Sequence, residues 1–233
     1  LEFKQSEVPL DRIAVLFRAR YQAAELELEL AKRGIPYVIR GGVRFFEQAH
    51  IKDTLSYLRL LANPSDELAW TRALTLQPGI GGGYAEKIFG AAQKEADGLE
   101  KIASAGFGEH FPAKVRDGLA GFKRTLKNLI KEGPEGAPDR LIEEVLNSGY
   151  QKHVLLNFEN ARDRLEDLRE LVNFAHTYKS LKEFLTDVTL REGFKGESLV
   201  EGGPQNRGEE TALILSTIHQ AKGLEFDWVF MPS

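Results

Sequence analysis

The sequence has no cysteine among its 233 residues. Disulfide bonds and metal sites with thiolate ligands are therefore excluded, and the composition fits a reducing compartment. Long apolar runs are also missing, since none approaches the roughly 18 residues that a membrane span requires. The first residues do not resemble a signal peptide. We expect a cytoplasmic protein with no membrane contact.

Methionine is nearly absent, because Met231 is the only one and the chain begins with Leu1. A translation product begins with methionine, so we expect the sequence to be a piece of a longer protein. The phosphate-cradling pattern G-x-x-x-x-G-K-[ST] does not occur either. The five histidines are scattered without metal-ligand spacing, and we expect no metal site in this chain.

The remaining composition is that of an ordinary globular chain, with 42% hydrophobic and 28% charged residues. These values exclude collagen-like and wholly disordered proteins. The formal net charge of −4 excludes a histone-like polycation but leaves open a local nucleic-acid groove.

The N-terminal part reads as a strand–helix–strand unit. Residues 13–17 (IAVLF) form the short apolar run of a buried parallel strand. In residues 22–33 leucine and glutamate alternate as in a strand, but they are strong helix formers and Gly34 suits the position after a helix, so we predict a helix. Residues 36–40 predict a second strand, parallel to the first.

Residues 51–62 predict a helix, since Ile51, Leu55, Leu58 and Ala62 recur at helical spacing. The middle of the chain, residues 65–206, also reads as helical. Its apolar residues recur at helical spacing in two stretches: Val115, Leu119, Phe122, Leu126 and Leu129; Leu165, Leu168, Val172 and Ala175. Asn63-Pro64-Ser65 ends the first helix, and Ser65 or Asp66 is expected to cap the next one. Residues 133–138 separate two helices, and the glycine-rich, polar residues 192–210 read as a mobile segment.

The last part returns to strands, predicted over residues 212–218 and 227–231. Strand-rich ends around a helical middle predict an α/β fold, with a partial parallel sheet and an inserted all-α subdomain. We place the sheet in residues 1–64 and 207–233, and the insertion in residues 65–206.

Three segments then resemble a known family. HQAKGLEFDWVF resembles motif V of UvrD/Rep/PcrA-type superfamily 1 DNA helicases. IAVLFRARYQAAELELELAKRGIPYVIRGGVRFFEQAHIKDTLSYLRLL resembles their motif IV through IVa block, and QPGIGGGYAEKI resembles their GIG element. The resemblance implies a RecA-like subdomain 2A for residues 1–64 and 207–233, truncated before motif VI, and an inserted subdomain 2B for residues 65–206.

The resemblance implies a nucleotide site. Phe17 falls where the family places an aromatic ring near adenine, although tyrosine is more common there. Arg18 falls on the arginine that reaches the γ-phosphate, and Glu225 on a glutamate near the nucleotide sugar. An arginine suits the charge that develops in phosphoryl transfer. The residues alone favour a core Phe17 and a solvated Arg18.

The resemblance also implies DNA contacts. Thr217, His219 and Lys222 fall along the track of single-stranded DNA, with Lys222-Gly223 as a turn. The run Gly79-Ile80-Gly81 falls on the element that touches duplex DNA, ahead of a helix expected to begin near Tyr84. A glycine-rich helix connector is the alternative, and Gly82-Gly83 is expected to lengthen this flexible run.

Two further features have a DNA and a structural interpretation. Residues 113–131 contain six basic residues and one acid, which suits phosphate contact but is more often a solvated face. Phe45 and Phe46 could stack on bases, but a core position is favoured.

The resemblance implies a parent ATP-dependent DNA helicase that moves 3′ to 5′, with ATP and Mg²⁺ bound in the full-length protein and none bound tightly to this fragment. The P-loop would lie in a missing N-terminal RecA-like domain, so the fragment alone is expected to be inactive. Expected partners are single-stranded and duplex DNA, that missing domain, and repair or replication proteins at a bacterial nucleoid. The alternatives are a non-catalytic duplex-DNA or protein-binding module, or part of a recombination helicase–nuclease.

Overall fold

The computed structural model describes residues 8–17, 23, 26–27, 29–30, 33–40, 45–94, 98–104, 106–193, 212–218 and 221–232. The chain divides into two compact units. One consists of Leu1–Gln48 with Val188–Ser233, and the other of Ala49–Asp187. The predicted boundaries at 64/65 and 206/207 differ from these limits and remain a prediction. No helix in the described part of the chain is long and apolar enough to cross a membrane.

The first unit contains a four-stranded parallel sheet. Its strands are β1 (Ile13–Phe17), β2 (Tyr37–Arg40), β3 (Leu213–Thr217) and β4 (Trp228–Phe230). The strand order across the sheet is β2-β3-β1-β4, and every neighbouring pair is parallel. All four predicted strands are therefore confirmed, and together with the helices below they confirm the α/β fold.

Between β1 and β2 the chain is helical at residues 23, 26, 27, 29 and 30. This helical segment ends in a glycine cap. Gly34 has a φ of 63°, and the N–H of Ile35 donates to the carbonyl of Leu30 at 2.9 Å. A residue without a Cβ adopts this left-handed conformation at little cost. The preference for helix over strand in this segment is confirmed.

One buried cluster of the sheet unit lies on one side of β1. Ile13, Val15 and Phe17 alternate along the strand and pack with buried residues of the neighbouring strands and of the helix. Those partners are Ala23, Leu30, Tyr37, Leu213 and Leu215.

The second unit is built of helices. They are α1 (Ala49–Ala62), α2 (Glu67–Thr75), α3 (Gly82–Ala92), α4 (Gly98–Ala103), α5 (Ala113–Glu132), α6 (Pro138–Val145), α7 (Gln151–Asn157), α8 (Ala161–Ala175) and α9 (Leu181–Gly193), whose first part belongs to this unit. A π-helical turn over Leu146–Tyr150 joins α6 to α7, and its Gly149 departs from helical geometry with a φ of 134°.

The predicted apolar stripes form the core of this unit. All five stripe residues of α5 are at most 2% exposed, and so are Ile51, Leu55 and Leu58 of α1, whereas Ala62 of the α1 stripe is exposed. In α8, Leu168 and Ala175 are buried while Leu165 and Val172 are half-buried. The 3.6-residue period therefore indicated the buried face of α5 fully and that of α8 in part, while α1 is buried on most of its sides.

Candidate nucleotide and nucleic-acid sites

The sheet brings the ends of two predicted motifs together. Phe17, the last residue of β1, is the register partner of Thr217, the last residue of β3. The N–H of Ile218 donates to the carbonyl of Phe17 at 3.2 Å. Because parallel strands end at the same edge of a sheet, the chain leaves both strands side by side, where α/β sheets bind ligands. Arg18 and His219 lie just beyond these ends, outside the described residues.

Phe17 itself is a core residue. Its side chain is 2% exposed and belongs to the cluster under β1. This is the position that the residues alone favoured. A contact between its ring and a nucleotide remains a prediction.

The loop after β3 begins with a compact turn. The carbonyl of Thr217 accepts the N–H of Ala221 at 3.0 Å, and Gly223 has a φ of 86°. Ala221 is buried, whereas Lys222 is exposed. The predicted turn at Lys222-Gly223 is confirmed, and its lysine is exposed.

The same loop then returns to the end of the sheet at which its strands begin. Trp228, the first residue of β4, is the register partner of Ile13, the first residue of β1. Asp227 is held there, since its N–H donates to the carbonyl of Arg12 at 2.9 Å and its carboxylate pairs with the Arg12 guanidinium at 3.1 Å. Glu225 is exposed and lies two residues before Asp227 in the sequence. Its place near a nucleotide sugar remains a prediction.

The Gly79–Gly81 element forms a tight turn in front of α3. Gly79 has a φ of 78°, Ile80 is 4% exposed, and the carbonyl of Gly81 accepts the N–H groups of Tyr84 and Ala85. The helix begins at Gly82 rather than near Tyr84, so the expectation that Gly82-Gly83 lengthens a flexible loop is wrong.

The backbone at the start of α3 is open. Gly81, Gly82 and Gly83 are exposed, and among the described residues no atom beyond the adjoining backbone lies within 4 Å of a Cβ built on any of them. The first N–H groups of a helix have no partner within it and attract anions. The structure therefore presents bare, donor-rich backbone at this end of the helical unit.

Helix α5 supports this element through two glycines that sequence reasoning missed. A Cβ on Gly118 would lie 2.2 Å from the carbonyl oxygen of Pro78, and one on Gly121 would lie 2.9 Å from Oε1 of Gln77. The detectable signal was their spacing of three residues beside the apolar stripe, which places both on one helix face. Close approach of the loop to α5 requires this missing side-chain volume.

The basic residues of α5 do not form one free face. Lys123 donates from Nζ to the carbonyls of Ser104, at 2.8 Å, and Phe107, and it lies 5.7 Å from the centroid of the Phe107 ring. Burial lowers the pKa of Lys123, and nearby Glu109 partly opposes this. Lys123 is thus a structural tie between α5 and the loop after α4, whereas the other basic residues of the helix are exposed: Lys114, Arg116, Arg124, Lys127 and Lys131.

A buried carboxylate, also missed by sequence reasoning, joins α1 to α2 and to the π-helical turn. Asp53 accepts from Nε of Arg72 at 2.7 Å and from the hydroxyl of Tyr150 at 2.7 Å. Burial and the adjacent Asp53 charge raise the pKa of Tyr150. Burial also raises the pKa of Tyr57, whose hydroxyl accepts from Nε2 of Gln77 at 2.8 Å. The hydrogen bond to Tyr57 holds Gln77, which lies two residues before the Gly79–Gly81 turn.

His50 joins α1 to α8. Its ring is fully buried, Nη1 of Arg164 lies 2.7 Å from Nδ1, and Asp167 lies 3.2 Å from Nε2. Because a guanidinium only donates, Nδ1 accepts and Nε2 carries the proton. Within the described residues, no group of three or more His, Cys, Asp or Glu side chains could hold a metal ion.

Phe45 and Phe46 are core residues. They are 3% and 4% exposed, and their rings meet edge to face with centroids 5.0 Å apart. The favoured core interpretation is confirmed for both.

Comparison with known proteins gives one consistent result. The family model described as UvrD-like helicase C-terminal domain matches residues 2–233. The chain is 32% identical to the ATP-dependent DNA helicase PcrA of Bacillus subtilis over 95% of its own length and 31% of the relative's. It is 33% identical to the Staphylococcus epidermidis protein of that name, over 99% of this chain and 32% of the relative. The chain thus spans about a third of the length of these curated relatives.

Proposed function

We propose, from the fact that the chain belongs to the UvrD-like helicase C-terminal domain family, that it is part of an ATP-dependent DNA helicase that moves 3′ to 5′ along single-stranded DNA and unwinds duplexes. In this proposal residues 1–64 and 207–233 are the RecA-like subdomain 2A, and residues 65–206 are the inserted subdomain 2B.

One observation carries the proposal beyond family membership. The predicted nucleotide motif and the predicted DNA motif leave neighbouring strands at the same edge of the sheet, at Phe17 and Thr217. A conformational change in the predicted nucleotide motif would therefore be transmitted to the predicted DNA motif through the hydrogen bonds between β1 and β3. Such a short connection suits an enzyme in which ATP hydrolysis moves DNA.

The proposed nucleotide residues are Phe17, Arg18 and Glu225. Arg18 would contact the γ-phosphate, where its guanidinium stabilises the charge that develops in the transition state. Phe17 would lie near the adenine, and Glu225 would contact the sugar. ATP with Mg²⁺ is the proposed substrate, and the Mg²⁺ ligands are proposed to lie in the other RecA-like half.

The proposed DNA residues lie in both units. Thr217, His219 and Lys222 would contact single-stranded DNA, and Gly79-Ile80-Gly81 would contact the duplex. The open backbone of Gly81–Gly83 supports the second assignment, because exposed N–H groups without side chains can approach phosphate closely. Repair or replication proteins at the nucleoid are the proposed cellular partners.

Arg18→Ala in the complete protein tests the proposal. DNA-stimulated ATP hydrolysis should fall in kcat by a factor of about 1,000 or more, with a much smaller change in the KM for ATP, because the contact is made mainly in the transition state. Arg12→Ala is the matched control, since Arg12 lies at the opposite end of β1 in an exposed ion pair. Equal activity of the two variants would refute the role of Arg18.

A further inference from the structure

A cavity of about 460 Å³ lies inside the helical unit. Residues of α5, of the π-helical turn, of α7 and of the segment Leu76–Pro78 line it. Gln77 and Pro78 belong to the segment that resembles the GIG element, and Tyr57, which also lines the cavity, belongs to the motif IV–IVa block. None of the described residues proposed above to contact nucleotide or DNA lines it, so the cavity adjoins the proposed duplex-contact element without containing it.

Two cations line this cavity without a partner. Arg124 of α5 and Lys152 of α7 are both exposed, and neither has a hydrogen bond or ion pair with any other described residue. Both residues line the same cavity, one from α5 and one from α7, and two such cations provide a site for an anion.

The lining also offers a neutral hydrogen-bond donor. The hydroxyl of Ser148 accepts from Nδ2 of Asn128 at 3.1 Å, which leaves its own proton for donation. A hydroxyl together with a guanidinium and an ammonium supplies donor types that bind phosphate.

One acidic residue opposes such a ligand. Asp117 of α5 also lines the cavity and is exposed. The lining still carries two full positive charges against one negative charge, so a dianion is favoured over a cation. The Asp117 carboxylate also allows a test of the charge of the ligand, because its removal should strengthen the binding of an anion.

We infer that this cavity binds a phosphate group through Arg124 and Lys152. A guanidinium presents a planar fork that matches two phosphate oxygens, and an ammonium adds a point charge from the facing helix. The phosphate could belong to the backbone of a DNA duplex or to a free nucleotide, and both sources present the same chemistry to the cavity.

Isothermal titration of pyrophosphate into the 233-residue chain, at constant ionic strength, tests the site. The variant Arg124→Gln/Lys152→Gln should bind at least about 10-fold more weakly. The control Lys127→Gln/Lys131→Gln removes the same charge from exposed positions of α5 that do not line the cavity, and it should change affinity less than about 2-fold. Equal losses in both variants would show general electrostatic attraction and overturn the inference.

Two further variants separate the effect of shape from the effect of charge. Ala120→Phe adds a ring at an exposed position that lines the cavity and should block pyrophosphate without a change in charge. Asp117→Asn should tighten binding several-fold. If Ala120→Phe binds as well as the parent chain, or if no variant binds differently, the cavity is not the site.

The source of the phosphate follows from two further titrations, with a short DNA duplex and with ATP in the absence of Mg²⁺. Weaker duplex binding by the Arg124/Lys152 variant alone assigns the DNA backbone, and weaker ATP binding alone assigns a free nucleotide. The pyrophosphate result does not depend on helicase activity, so failure of this site and failure of the proposed function are distinguishable. No saturable binding of pyrophosphate, duplex or ATP would overturn the inference.

Discussion

Gly118 shows how a single missing side chain positions a whole loop. The carbonyl oxygen of Pro78 would be 2.2 Å from a Cβ at this position, and a backbone atom cannot move aside as a flexible side chain can. We predict that Gly118→Ala destabilises the chain by about 1–3 kcal/mol, as overpacking does in other cores. Urea denaturation followed by circular dichroism measures this change.

Gly90 of α3 is the matched control for this prediction. It also lies inside a helix, but in the described part of the chain no atom beyond its own helix backbone lies within 4 Å of a Cβ built on it. Gly90→Ala should therefore stabilise the chain by about 0.5–1 kcal/mol through helix propensity. If both substitutions stabilise, the close contact between α5 and Pro78 does not exist in solution.

Tyr150 is the second residue whose environment makes a prediction. Its hydroxyl donates to the buried Asp53 carboxylate, and burial together with that charge raises its pKa. Tyr150→Phe removes a hydrogen bond to a charged group and should cost about 1.5–3 kcal/mol at pH 8. Urea unfolding of the parent chain and the variant gives the difference.

The same pair predicts a pH dependence. Tyr150 stays protonated in the folded chain, while in the unfolded chain it ionises near pH 10. The raised folded pKa therefore contributes stability that is fully present below about pH 10 and is lost as the pH rises further. The advantage of the parent chain over Tyr150→Phe should shrink by about 1.4 kcal/mol per pH unit above 10. A difference that stays constant from pH 8 to 11 would contradict the raised pKa.

At the scale of elements, the start of α2 shows which residue caps the N-terminus of a helix. The sequence left Ser65 and Asp66 as equivalent caps, and the structure selects Asp66, whose carboxylate accepts the N–H of Ala69 at 3.0 Å. Ser65 instead contacts Gln93 through its hydroxyl at 3.4 Å. The negative charge of the carboxylate is also stabilised by the helix dipole, whose positive end is at the N-terminus of α2.

We predict that Asp66→Ala lowers the free energy of unfolding by about 1 kcal/mol. Ser65→Ala, the adjacent control, should stay within about 0.5 kcal/mol of the parent chain. Thermal and urea unfolding measure both. A larger loss from Ser65→Ala than from Asp66→Ala would show that the neighbouring residue is the cap.

At the scale of the whole molecule, the chain holds one side of the proposed nucleotide site. Its described residues provide a sheet edge with Phe17 and Thr217, and its sequence contains no P-loop pattern. We predict that the 233-residue chain alone does not hydrolyse ATP in the presence of single-stranded DNA. Steady-state phosphate release, compared with a Phe17→Ala/Arg18→Ala variant, measures this. Hydrolysis clearly above that variant would defeat the prediction.

Much of the fold was predictable from local sequence. Residues 13–17 are continuously apolar because a parallel strand is buried on both faces, and the α5 stripe repeats because a helix turns once in 3.6 residues. The motif segments were likewise readable, and the family match supports them. The start of α3 was not predictable, because the three consecutive glycines Gly81–Gly83 are typical of a loop. In the structure Gly81 is the N-cap and Gly82 and Gly83 adopt helical conformation.

The sequence by itself determined which segments are strands and helices, which faces are apolar and to which family the chain belongs, since these depend on residues close together along the chain. Only the tertiary structure decided the roles of its buried polar residues and glycines. Tyr150 meets Asp53 from 97 positions away, and Asp167 meets His50 from 117 positions away. A charge or hydroxyl is stable inside a protein only when its partner is present. That partner is chosen by how the helices pack, which no local pattern records.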